Sequence, residues 1–250
     1  MLRGFYTAAN GIINEQRIIN VKTNNLANVQ TAGYKADTAI PTTFAEKLLL
    51  ISGDHSDTGT IRYRTIANTY TDLQQGTFEN TNSRLDMAIS GSVYFNVASR
   101  KTGEILLTKS GQFSLDYEGY LSLGSSGRVV DENGDPIKLD TADFTVSTTG
   151  QILTDNGRTI NLGLSYLDEN VDVEKVADNL LRPYEPAPAG NIPIGYKYSV
   201  MQGWYERSNV DTATEMVEVM NAQGVFTACS NALKIANSIN QIACNDLAKI

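Results

Sequence analysis

The segment Ser208–Ile250, SNVDTATEMVEVMNAQGVFTACSNALKIANSINQIACNDLAKI, decides how this chain is organised. Apolar and small residues recur in alternating steps of three and four: Val219, Ala222, Phe226, Cys229, Leu233, Ala236, Asn240, Ala243, Leu247 and Ile250. Such spacing puts them along one side of a helix, as a heptad seam. Only Asn240 is polar. Val225, Ala232, Ile235, Ile239 and Ile242 widen the apolar surface beyond that seam, and a helix apolar on several sides has to be covered on several sides. Ser208, Asn209, Val210 and Asp211 supply N-cap candidates, and Glu215 and Glu218 sit near the helix start, where negative charge suits the dipole. Gly224 costs about 1 kcal/mol relative to Ala inside a helix, which a close backbone neighbour would justify.

The other end of the chain carries a second seam. Phe5, Ala9, Ile12, Gln16, Ile19, Thr23 and Leu26 follow the same alternation, with two polar interruptions. That helix runs into NNLANVQTAGYK, Asn24–Lys35, which is rich in asparagine and holds a single charge. Gly33 can take positive φ just beyond the helix end, so Gly33 and Tyr34 mark an exit turn.

Between the helices the period changes to two and turns become frequent. Ser92–Ala98, Glu104–Thr108, Gln112–Leu115, Tyr120–Leu123, Arg128–Val130, Phe144–Thr148, Gln151–Thr154, Thr159–Leu167 and Val200–Glu206 read as short strands. Glu118-Gly119, Asn133-Gly134, Thr149-Gly150 and Asn156-Gly157 punctuate them. The fold class is therefore α+β: a discontinuous domain of long, coiled-coil-like N- and C-terminal helices with an inserted, mainly antiparallel β domain. The expected divisions are 1–34 with 208–250 for the helices, 35–70 for a linker or irregular arm, and 71–207 for the β domain. A C-terminal helix reaching Ile250 would be about 60 Å long. That exceeds what the shorter N-terminal helix covers, so other chains are expected to cover the rest and the terminal helices to build a polymer.

Composition narrows the partners. The chain has 250 residues, 41% of them hydrophobic, a net charge of −8 and a pI near 4.7. Acidity argues against nucleic acid or an anionic membrane surface as the main partner. No apolar run approaches the ~20 residues of a membrane-spanning helix. The N-terminus lacks the continuous apolar core of a cleaved secretory signal. Cys229 and Cys244 are fifteen positions apart, so on one helix they stand about 22 Å apart and do not bridge. Both read as small hydrophobes. His55, the only histidine, falls in a Gly/Ser/Asp-rich arm. Asp131–Asp135 (DENGD) lacks the further ligands of a calcium loop and reads as a hairpin turn. No nucleophile motif or phosphate-cradling loop is present. The expectation is a protein without catalysis, cofactor or metal.

These residues carry a family resemblance. NNLANVQTAGYK and Gln202–Ile239 resemble the N- and C-terminal signatures of the flagellar axial proteins, the rod and hook subunits. The intervening stretches Leu73–Val97, Leu107–Leu121, Asp131–Ile137 and Val173–Pro183 resemble the β domain of rod proteins. The resemblance spans nearly the whole chain in order. It departs at Ala32, where many relatives carry Pro, and at Gly224, often Arg. It implies a structural subunit of the basal-body rod, the drive shaft between motor and hook, with terminal helices forming an inner tube around an export channel. It further implies type III export without a cleaved signal, association with other rod and hook proteins, and a place in the basal body, in the periplasm or cell wall. Proximal and distal rod positions stay open. The alternatives are a coiled-coil-stalked surface adhesin, normally helical at one end only, and a hook-type subunit. The expected subunit contacts are Phe5, Ala9, Ile12, Ile19, Asn24, Asn25, Leu26, Asn28, Val219, Phe226, Cys229, Leu233, Ala236, Asn240 and Leu247. The expected turn and cap residues are Gly33, Tyr34, Ser208, Asn209 and Asp211.

Overall fold

The computed structural model describes residues 2–43, 64–139, 141, 143–155, 157–168, 171, 173–177, 179–183 and 192–247. His55 and residues 44–63 of the expected arm 35–70 lie outside these residues, as does Ile250. Two helices bracket seventeen strands among them: α1 (Leu2–Ala27) and α2 (Thr212–Leu247). The chain divides into two compact units. One contains 1–27, 37–70 and 211–250; the other contains 28–36 and 71–210. Residues 28–34, expected with the helices, thus fold with the strands.

In the helical unit α1 and α2 pack antiparallel. A Cβ on Gly11 would stand 2.9 Å from the Cys229 sulfur, and Lys22 pairs with Glu215 and Glu218. These two points place residue i of α1 opposite about residue 240 − i of α2. At 1.5 Å per residue α1 is about 39 Å long and α2 about 54 Å, so the C-terminal end of α2 runs past the start of α1. Strands β1 (Asp37–Thr43) and β2 (Arg64–Thr71) form a two-stranded sheet.

The β unit is built around β5 (Val93–Ser99). Its alternating side chains enter two cores, because a strand sends successive residues to opposite faces. Val93, Phe95 and Val97 join the larger core with Met87, Ile89, Phe113, Leu121, Phe144 and Ile152. Tyr94 joins a smaller one with Leu73, Leu107, Leu167 and Leu181. The main sheet adds β6 (Ile105–Thr108), β7 (Ser114–Leu115), β8 (Leu121–Leu123), β9 (Gly127–Val129), β14 (Val173–Ala177) and β15 (Leu180–Pro183), in the order β14-β15-β6-β5-β9-β8-β7. β13 (Leu164–Tyr166) also pairs with β5. Phe95 lies opposite Thr108 in the antiparallel β5–β6 register, and its ring meets Phe113 edge-on at 5.1 Å.

Smaller antiparallel sheets complete the unit. β10 (Phe144–Val146), β11 (Gln151–Thr154) and β12 (Thr159–Asn161) form a meander. β3 (Phe78–Asn80) pairs with β17 (Trp204–Glu206), and β4 (Met87–Ser90) with β16 (Ser199–Gln202). Two of the expected strands are therefore broken in two. Thr159–Leu167 divides at Gly163. Val200–Glu206 divides at Gly203, whose φ of 81° turns the chain there while its carbonyl accepts from the Thr81 amide.

Candidate functional site

No cluster of three or more His, Cys, Asp or Glu side chains suited to a metal occurs among the described residues, and no helix among them is long and apolar enough to cross a membrane. A polar cleft of about 440 Å³ is lined by Asp131, Glu132, Asn133, Gln151 and Arg158 with β12. Its carboxylates do not converge. Asp131 accepts from the amides of Asn133 and Asp135, which closes the turn, and Glu132 accepts from Asn161 Nδ2 at 3.2 Å. Each is spent on local structure.

Two other features concentrate the unusual chemistry. The first is the helix pair. The less exposed side of α2 is Val219, Ala222, Phe226, Cys229, Leu233, Ala236 and Asn240, and it faces α1 of the same chain. The α1 side differs from the expected seam. Gln16 and Thr23 are exposed, and their neighbours Glu15 and Lys22 turn inward. Phe5, Ala9, Ile12, Ile19 and Leu26 stay half-buried. Lys22 is tolerated because two carboxylates meet it: Glu215 at 3.1 Å and Glu218. Burial alone would lower the Lys22 pKa, but those two partners raise it. Glu15 has its pKa raised by burial.

Opposite that side, α2 presents Val217, Met220, Gly224, Ala228, Asn231, Ile235, Ile239 and Ile242, all exposed. Ile235 and Ile242 are 60% and 61% exposed. Among the described residues no atom comes within 4 Å of a Cβ placed on Gly224, so the close neighbour its presence suggested is not one of them. Tyr6 and Ile13, seven residues apart, are likewise exposed on α1.

The second feature is the exit turn, within the β unit. Gly33 has φ 66°, and a Cβ there would lie 2.2 Å from the Ser110 nitrogen, so turn and close approach both require glycine. Its amide donates to the Glu206 carbonyl at 2.8 Å. Tyr34 is buried, with Lys175 Nζ 4.0 Å from its ring centroid. Lys35, the one charge of the asparagine-rich stretch, is buried too. Its Nζ donates to Glu206 Oε1 at 2.7 Å and to the Gln74 carbonyl at 2.6 Å. Glu206 is 0% exposed and also accepts from the Gly76 amide and from Gln75 Nε2. Lys109 Nζ stands 3.7 Å from Glu206 Oε2 and donates to the carbonyls of Ile89 and Gly91. Burial lowers the Lys109 pKa to about 8, with Glu206 opposing the shift and Lys35 adding to it. Nothing in the local sequence marks Lys109 and Glu206 as buried, because charged residues ordinarily lie at the surface; for Lys35 the one signal is its place as the lone charge in an uncharged stretch.

The expected turn and asparagine residues take distinct roles. Asp211 caps α2, accepting from the Ala213 amide and the Thr214 hydroxyl, bonds that lower its pKa. Ser208 Oγ accepts from the Val210 amide. Asn209, a cap candidate by sequence, is instead a tether. It accepts from the Ala36 amide at 2.8 Å and donates to the carbonyls of Asp72 and Gln74. Asn25, expected between subunits, is fully buried and bonds both the N–H and the C=O of Asp37. Asn28 binds the Thr31 hydroxyl at the start of the turn, and Asn24 is exposed. Leu247 closes α2.

Known proteins match the same regions. A family model described as flagella basal body rod protein matches residues 5–35, covering α1 and the exit turn. One described as flagellar hook protein FlgE/F/G D1 domain matches residues 88–154. A third, flagellar basal body rod FlgEFG protein C-terminal, matches residues 201–245. The chain is 29% identical over 263 residues to the flagellar basal-body rod protein FlgG of Bacillus subtilis (strain 168), covering 96% of this chain and 97% of that protein. It is 29% identical to the flagellar hook-basal body complex protein FlhO of the same organism, over the full length of both. It is 26% identical to the flagellar basal-body rod protein FlgF of Rhizobium meliloti (strain 1021), over 90% of each.

Proposed function

Since the chain belongs to the flagellar basal-body rod protein family and is a structural rod subunit, we propose that its terminal helices are the polymerising element and its β unit the outward-facing body. The observation that carries this reading is the apolar face of α2 from Val217 to Ile242, which the chain itself leaves exposed. In a helical tube, open head-to-tail contacts repeat without closing. The exposed faces of α1 and α2 are buried against neighbouring subunits, and Gly224 lets a neighbouring helix approach closely. Of the expected contacts, the half-exposed seam residues Phe5, Ile12, Ile19, Phe226, Leu233 and Ala236 complete their burial there.

The chain travels unfolded through the type III export apparatus, and the helices order fully on meeting the growing tip. Isolated helices are marginal in water, so the helix pair of the free chain is only weakly ordered and polymerisation completes its ordering. Close-packed interfaces then resist torsion, because they have little free volume to yield. Torque transmission requires no catalysis, cofactor or metal, and none is assigned. The rod contacts other rod and hook components in the basal body.

The test is a double substitution on the outer face, Ile235→Ser with Ile242→Ser. The expected result is a chain folded as the wild type by circular dichroism but missing from purified basal bodies, in non-motile cells. Normal incorporation and motility would refute the assignment of that face.

A further inference from the structure

The buried node in the β unit carries one more ammonium than it needs. Glu206 is a single carboxylate. Lys35 reaches it at 2.7 Å, and Lys109 waits at 3.7 Å, with both lysines 2% exposed. Burying a charge without a partner is expensive, and a surplus of like charge in the same pocket adds to the cost. One lysine would neutralise Glu206. The two differ in what else holds them. Lys109 follows β6 within the main sheet and is anchored by the carbonyls of Ile89 and Gly91. Lys35 arrives on the segment 28–36, which is separated in sequence from the rest of the unit.

We propose that Lys109 is a reserve counter-ion for Glu206, so that the segment Ala32–Lys35 is a late-docking latch on a β unit whose buried carboxylate is already neutralised. Without Lys35 the pocket contains one ammonium and one carboxylate, with Gly76 and Gln75 still donating to Glu206. Lys109 closes the remaining gap. When Lys35 docks, it takes Oε1 and Lys109 retreats to its carbonyl partners. Among the described residues the charged and aromatic groups facing Lys109 are Glu206, Lys35 and the ring of Tyr94, 5.1 Å away, and of these Lys35 is the repulsive one. The inference holds whatever the chain assembles into.

The experiment uses the full chain with Lys35→Met, Lys109→Met, the double variant and a triple variant adding Glu206→Gln. Urea midpoints are read from the fluorescence of Trp204, the only tryptophan and a residue of the β unit. The double variant is expected to lose more than the sum of the two singles, because either lysine alone serves Glu206. Adding Glu206→Gln is expected to recover most of that loss, including any complete failure to fold. In Lys35→Met, the Lys109 side-chain carbon resonance is expected to titrate at higher pH than in the wild type, because the neighbouring positive charge that lowers it is gone. Additive losses, an unmoved or lowered Lys109 midpoint, or no recovery in the triple variant would each overturn the proposal.

Discussion

Val93–Val97 of β5 and the Val217–Ile242 face of α2 are both mainly apolar, yet they meet opposite surroundings. Every residue of the first is at most 1% exposed, while Met220, Ile235 and Ile242 of the second are at least 60% exposed. The strand is sandwiched between two cores made by its own chain; among the described residues the helix packs one side on α1. Burial of a large aliphatic side chain contributes about 1.5–3 kcal/mol, so the β unit collects its stabilisation within one molecule and the helical unit leaves much of its own to be gained. The two units are therefore expected to answer differently to the same perturbation. Trp204 reports the β unit and far-ultraviolet dichroism reports the helices, which lets the two be read separately.

The largest contrast comes from Phe95→Ala. Removing a fully buried ring packed on Phe113 is expected to cost the β unit about 3–5 kcal/mol, with a matching fall in the Trp204 midpoint. A shift below about 1 kcal/mol would show that this core is loosely packed.

Alkaline pH separates the units next, by an effect on the order of 2 kcal/mol. Lys109 has a folded pKa of about 8, below its ordinary 10.5, so between those values the unfolded chain binds more protons and the β unit gains stability as pH rises. Lys22 is shifted the other way. Its contribution to the helix pair is fully present below its ordinary value and is lost only as pH rises through its higher folded value. Urea titrations from pH 7 to 10.5 should show the Trp204 midpoint of the wild type gaining on that of Lys109→Met. An identical pH response in the two would contradict this.

Leu233→Asp places a charge on the covered side of α2. It is expected to cost the free helix pair about 1–2 kcal/mol and to abolish assembly, leaving the Trp204 transition in place. Loss of the Trp204 transition as well would mean the units are not independent. Gly224→Ala has the smallest expected effect on the free chain, a helix gain of up to about 1 kcal/mol, with incorporation into basal bodies reduced. A gain in both would remove any role for glycine in helix approach.

How much of this was legible follows the same physics. The covered stripe of α2, Val219 to Asn240, was visible because apolar and small residues repeat there without interruption. On α1 the stripe was misplaced at two turns. Gln16 and Thr23 were chosen over Glu15 and Lys22, since an apolar pattern cannot register a lysine that two glutamates on another helix neutralise. Strands with alternation and Asn-Gly turns were found close to their bounds, Gln151–Thr154 without change. β1 and β2, in the stretch 35–70 expected as an irregular arm, and β3, β4, β14 and β15 carry no such signal; MAIS in β4 shows no alternation because three of its four residues are buried. The exit turn was located through Gly33, but its anchor was not. Glu206 lies 171 residues from Lys35, and no local pattern joins them.

The central claim is that the β unit is complete in the free chain and the helices are completed by neighbours. Amide hydrogen exchange, measured residue by residue on the free subunit and again on assembled rods, tests it most directly. Amides of β4 and β5 in the free subunit are expected to be protected to the level of global unfolding, while those of α2 exchange at least a hundredfold faster, and assembly is expected to protect α2 and leave β5 unchanged. Equal protection of α2 and β5 in the free subunit, with no change on assembly, would contradict it.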